Sequence, residues 1–152
     1  MPTYPVHSPA DVTFTPDTSA YADGDVVGGL LTFEFSAKTG LIVTVILTED
    51  DNEGAVFDLF LFDSQPSSIA DNAAFAPTFA DMQKLMRKIE IASADYFTEN
   101  SIKAIQVDLQ SSGAPLPFWT DTIYGYLVTN GATAEFAAAK TVQVRLMAIG
   151  DS

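Results

Sequence analysis

Along residues 30–37, LLTFEFSA, the apolar side chains Leu31, Phe33, Phe35 and Ala37 share one face, and Thr32, Glu34 and Ser36 the other. A period of two is that of a half-buried β-strand. The stretch Ala37-Lys38-Thr39-Gly40 has turn chemistry, and LIVTVILTE (41–49) is apolar and β-branched enough on both faces to be a central strand. These two segments predict a hairpin, 30–37 with 41–49. A polar loop, EDDNEG (49–54), leads to VFDLFLFD (56–63), where both faces are mostly apolar. That strand is expected to be buried on two sides or to meet a partner.

One helix is predicted, over about 79–88. Thr78 is placed to cap it, Asp81 stands at the capping-box position, and Phe79, Met82, Leu85, Met86 and Ile89 make one apolar face. Lys84, Arg87 and Lys88 suit the dipole at its C-terminal end. Strand signals return at 88–92, 103–109, 122–129 and 141–149, separated by turn-rich pieces at 110–117 and 130–140. Roughly eight strands at short spacing and one short helix predict an all-β domain, a β-sandwich or jelly-roll-like fold.

The N-terminus reads differently. Pro2, Pro5, Pro9 and Pro16 fall within the first sixteen residues, and proline fixes φ, removes a donor and extends its predecessor. Residues 1–10 are therefore expected to form an extended arm ahead of a single domain at 11–152. Tyr4, Val6 and His7 are its candidate contacts to a neighbouring subunit.

Composition narrows the chemistry. The chain has 152 residues, no cysteine and a single histidine, His7. A disulfide frame, a thiolate nucleophile and a His/Cys zinc site within one subunit are all excluded. The formal charge is -13, and it is uneven: residues 1–76 carry twelve acids and Lys38 as their one base. Such a surface is repelled by nucleic-acid phosphates and anionic membranes, so neither is expected as a partner. No secretory signal pattern opens the sequence, and no apolar run reaches the roughly 20 residues of a membrane span. The expectation is a product made in a cytoplasm.

The stretch YADGDVVGGLLTFEF (21–35) has the glycines and aspartates of a binding loop. A phosphate loop needs its glycines between a strand and a helix, whereas Gly24, Gly28 and Gly29 precede a strand. For calcium, a loop starting at Asp23 places Glu34 twelfth but puts Val27 at the fifth position; a loop starting at Glu49 places Phe60 twelfth. Both are read as solvated turns. No G-x-S-x-G elbow exists, and a Ser/His/Asp triad would have to use His7 in the arm. Trp119, Tyr124 and Tyr126 are the aromatics that could line a glycan-binding face. No catalytic residue, metal site or cofactor is expected.

Three stretches carry a resemblance: DVTFTPDTSAYADGDVVGGLLTF (11–33), VFDLFLFDSQPSSIADNAAFAPTFADMQKL (56–85) and TIYGYLVTNGATAEFA (122–137). They resemble a family of tailed-phage virion proteins with a YxxGDVVGG lead-in to a strand. That family also has a DLFLFDxxP…DNAAF…D block and an LYGxLV strand. The resemblance implies a non-enzymatic structural protein that decorates or cements the outer surface of a capsid. It implies the major capsid protein as partner, a dimer or trimer, and a place on the virion exterior after synthesis in the host cytoplasm. It also implies that Tyr21 to Gly29 serve the fold. A tail or neck part and a carbohydrate-binding module are the alternatives.

Overall fold

The computed structural model describes residues 5–111, 113–131 and 133–151. Ten strands build two antiparallel sheets: β1 (Pro5–Phe14), β2 (Val26–Glu34), β3 (Gly40–Glu49), β4 (Phe57–Phe62), β5 (Leu85–Ile91), β6 (Phe97–Glu99), β7 (Ile102–Asp108), β8 (Leu116–Phe118), β9 (Thr122–Thr129) and β10 (Val142–Asp151). One sheet has the order β1-β10-β3-β7-β6, with β8 also on β3; the other has β2-β9-β4-β5. The long strands alternate between sheets along the chain except at β4 and β5, which pair as neighbours in one, and this is the order of a jelly roll. β6 and β8 are short additions to its eight strands.

The main core fills the space between the sheets, with Phe33, Leu47, Leu61, Ile91, Leu127 and Val144 buried. Phe35 and Phe118 stack across it with ring centroids 4.6 Å apart. A second core lies on the outer face of the β2-β9-β4-β5 sheet. There Val26, Phe62, Tyr126 and Val128 are covered by Ile69 and Phe75 from the connection between β4 and β5. β4 is thus buried on both faces, as its composition requires: Phe57, Leu59 and Leu61 face the main core, and Phe60 and Phe62 the second.

Three expectations are corrected. The 30–37/41–49 hairpin does not form: β2 pairs with β9, while β3 pairs with β10, β7 and β8. The turn at 37–40 carries the chain from one sheet to the other, so the two apolar faces meet across the core rather than side by side. The helix is one turn, α1 (Phe79–Met82), with the expected capping box between Thr78 and Asp81. Beyond it Ile89 and Ile91 are buried while Lys88 and Glu90 are exposed, so the period of two wins and β5 pairs with β4 from Leu85 onward.

The third correction concerns the arm. Residues Pro5–Phe14 pair in continuous register with β10 of the same chain, from Pro5 opposite Asp151 to Phe14 opposite Val142. Ser8 and Ala10 point inward, and His7, Pro9 and Asp11 outward. Prolines are tolerated here because β1 is an edge strand, where a missing N–H breaks no ladder.

Candidate functional site

The lead-in to β2 is held by one carboxylate. Asp71 Oδ1 accepts from the Tyr21 hydroxyl and the Gly28 N–H, each at 2.8 Å, and Oδ2 accepts from the Asp17 N–H at 3.0 Å. Tyr21 is fully buried, and its oxygen also accepts from the Asp17 N–H at 2.7 Å. Burial and the neighbouring Asp71 charge hold its phenol well above the usual tyrosine range, so it stays a neutral donor. Gly28 and Gly29 have φ of 86° and 74° and form a bulge where β2 slips against β9 between Val27 and Leu31. A Cβ at Gly28 would lie 2.5 Å from the Phe14 ring. The glycines thus serve a bulge that brings backbone against β1.

The other acids of the motif are spent on backbone. Asp25 Oδ2 accepts from Ala22 N at 2.8 Å, and Asp23 Oδ1 from Gly131 N at 2.8 Å. In the 49–54 loop, Glu49 accepts from Asp51 N and Gly54 N at 3.0 and 3.1 Å, and Asp51 from Ala137 N at 2.6 Å. Both loops are turns closed by their own carboxylates. Among the described residues, no cluster of three or more His, Cys, Asp or Glu is placed to hold a metal ion. Asp81 likewise accepts from Ser67 N and Thr78 N at 2.8 and 2.9 Å, which holds its carboxyl well below the ordinary range.

The aromatic face does not assemble. Trp119 is 65% exposed, but Tyr126 is buried in the second core. Its hydroxyl donates to Ser67 O at 2.5 Å and accepts from Ile69 N at 3.0 Å. Tyr124 is half-buried beside it. A row of three stacking rings is therefore absent, because β9 turns both tyrosines under the 63–78 connection. Trp119 instead borders a groove between the edge strand β5 and β8, lined also by Asp63, Leu85, Met86, Arg87, Leu116 and Pro117. Arg87 Nη1 donates to Ala114 O across this gap.

Of the arm residues, Tyr4 lies outside the described residues, Val6 pairs with Gly150, and His7 is exposed opposite Ile149. Of the groove residues, Leu85, Met86 and Arg87 fall in the predicted helix, whereas the strand signalled at 88–92 in fact begins at Leu85.

No protein-family profile matches the sequence, and no curated protein does. Solved structures overlap it loosely. The structure of Tomato Aspermy Virus is 9% identical over 93% of this chain and 76% of its own, with a TM-score of 0.35. The PRD1 vertex protein P5 is 11% identical over 94% and 96%, at 0.33. Desmodium yellow mottle tymovirus is 11% identical over 100% and 89%, at 0.36. Overlaps this loose carry no functional weight, and the jelly-roll assignment stands on the strand order itself.

Proposed function

We propose that this chain is a non-enzymatic structural protein of a phage particle that decorates or cements the outer surface of the capsid, with the major capsid protein as its partner. The observation that supports the reading is the Asp71 junction. The YADGDVVGG lead-in and the DNAAF block are the distinctive parts of the resemblance to tailed-phage virion proteins. They are joined through Tyr21, Gly28 and Asp71, so the shared residues build one fold element rather than two unrelated turns. A self-contained jelly roll whose motif carboxylates are engaged by its own backbone suits a part that works by its surfaces. Repeated over a symmetric shell, modest contacts add up through multivalency.

Copy number in purified particles tests this. Quantitative mass spectrometry should find the chain in a fixed, high ratio to the shell protein. A few copies per particle would move it to the tail or neck, and absence from particles would end the reading.

A further inference from the structure

The two sheets differ in what lies on their outer faces. On the β2-β9-β4-β5 sheet that face is the second core, covered by Ile69 and Phe75. On the β1-β10-β3-β7 sheet, the outward side chains from His7 to Thr13 and those opposite them on β10, β3, β7 and β8 are exposed or half-buried. Ile149, Met147, Leu41 and Ile46 lie there among threonines, glutamines and prolines. Phe97 and Ile102 continue the face on β6 and β7, and like Leu41 both are large apolar side chains left exposed.

This face is nearly free of charge. Across the same positions the charged side chains are Asp11, Arg145 and Asp108, one acid in excess. Asp11 and Arg145 bind each other through two hydrogen bonds. Asp108, at the end of β7, accepts from Gln110 N, Ser111 N and the Ser111 hydroxyl. Beyond Thr13, Glu49 and Asp50 border a hollow of about 230 Å³ with Thr48, Ile102 and Gln143. Their carboxylates also accept backbone N–H groups, Glu49 from Asp51 and Gly54, and Asp50 from Thr141. The chain as a whole carries -13, so two copies repel each other over most of their surface. Through this face they can meet without that repulsion.

Its size fits such a meeting. β1, β3 and β10 have ten residues each, and β7 and β8 together line the other side of β3. Four such strands span roughly 33 by 19 Å, about 600 Å² before the relief of the side chains is counted. A stable interface buries roughly 800 Å² per partner. Sheet faces pack about 10 Å apart with their side chains interdigitating. We propose that two copies join through the outer face of the β1-β10-β3-β7 sheet, sheet on sheet, in a two-fold dimer. The same patch then serves on both sides, which a nearly uncharged face allows and an acidic one does not. The dimer goes beyond the proposed shell role and does not depend on it. Its test uses the protein alone, so that failure here leaves shell binding to be judged separately.

Sedimentation velocity on the full chain should show a monomer–dimer equilibrium between about 1 and 100 µM. Ile46→Glu and Met147→Lys, near the middle of the face, each bury two unpaired charges in a two-fold contact and should weaken the dimer about 100-fold or more. Circular dichroism checks that both variants stay folded. Phe79→Glu, on an exposed residue of α1 in the connection that covers the other sheet, should leave the dimer unchanged. The absence of native cysteine allows a second readout that disturbs the face less. Thr44→Cys should crosslink to its own copy through a bismaleimide of about 10 Å reach, and Phe79→Cys should not. A chain that stays monomeric at about 100 µM would overturn the proposal. So would folded charge variants that associate like wild type, or Phe79→Cys crosslinking as well as Thr44→Cys. Shell binding lost in Ile46→Glu while the wild type is monomeric throughout would assign the face to the shell protein, and would overturn the dimer equally.

Discussion

Asp71 is the side chain on which the fold's signature depends. It receives three N–H or O–H donors, from Asp17, Tyr21 and Gly28, all in β2 or its lead-in and at least 43 residues before Asp71 in the sequence. Replacing it leaves the buried Tyr21 hydroxyl and the Gly28 N–H without their acceptor, the costly case for a hydrogen bond, whereas removing one donor loses a single net bond. Asp71→Ala is expected to destabilise by about 3 kcal/mol and Tyr21→Phe by about 1 kcal/mol. Urea unfolding should show lower midpoints with unchanged slopes. Equal effects from the two substitutions would mean that Asp71 does not hold the junction. Arg145 offers a contrast: its guanidinium is bidentate on Asp11 at 2.7 and 2.9 Å, but both are exposed enough to be screened, so it adds little.

Among the elements, β1 changes the expected behaviour most. Read as an arm, residues 1–10 could be removed without cost. As an edge strand, residues 5–10 pair with β10, Ala10 enters the core, and the buried Ser8 hydroxyl lies 3.0 Å from that of Ser36. Deleting residues 1–10 is therefore expected to lower stability by about 3 kcal/mol, at roughly 1 kcal/mol net per lost bond. Thermal unfolding unchanged by the deletion would refute the strand. Such cases mark what could be read from the sequence. β2, β4 and β9 are legible because their side chains alternate or, as in β4, are apolar on both faces. The capping box of α1 was found because it is local. Partners were not, since the sheet that a strand joins is decided by which apolar face can be covered, and alternation says nothing of that. β1 was missed because its inward residues, Ser8 and Ala10, are small, and its prolines masked a period of two. The groove beside Trp119 lies between β5 and β8, which are separate in sequence, so no local pattern shows it.

For the whole molecule, charge sets the response to pH. Glu53 is pushed above its ordinary 4.5, chiefly by burial and then by its acidic neighbours, so its ionised form costs stability in the folded state. That cost is relieved as pH falls from neutrality through its raised folded value towards 4.5. Relief of the -13 net charge acts in the same direction. Asp81, Asp17 and Asp108 are held below their ordinary 3.8, foremost by the Ser67 N–H, the Ser19 N–H and the Ser111 hydroxyl respectively. Their contributions are present above 3.8 and are lost as pH drops through their folded values. Melting temperature should therefore rise from pH 7 towards about 4.5 and fall below 3.8, with a smaller rise in Glu53→Gln. A steady decline from pH 7 downward would contradict this. The same acidic, self-contained jelly roll is proposed to work by attachment to a shell, and co-sedimentation with undecorated phage heads measures that attachment most directly. Saturable binding at a fixed ratio to the shell protein is the predicted result. Free protein left in the supernatant at every concentration would contradict it.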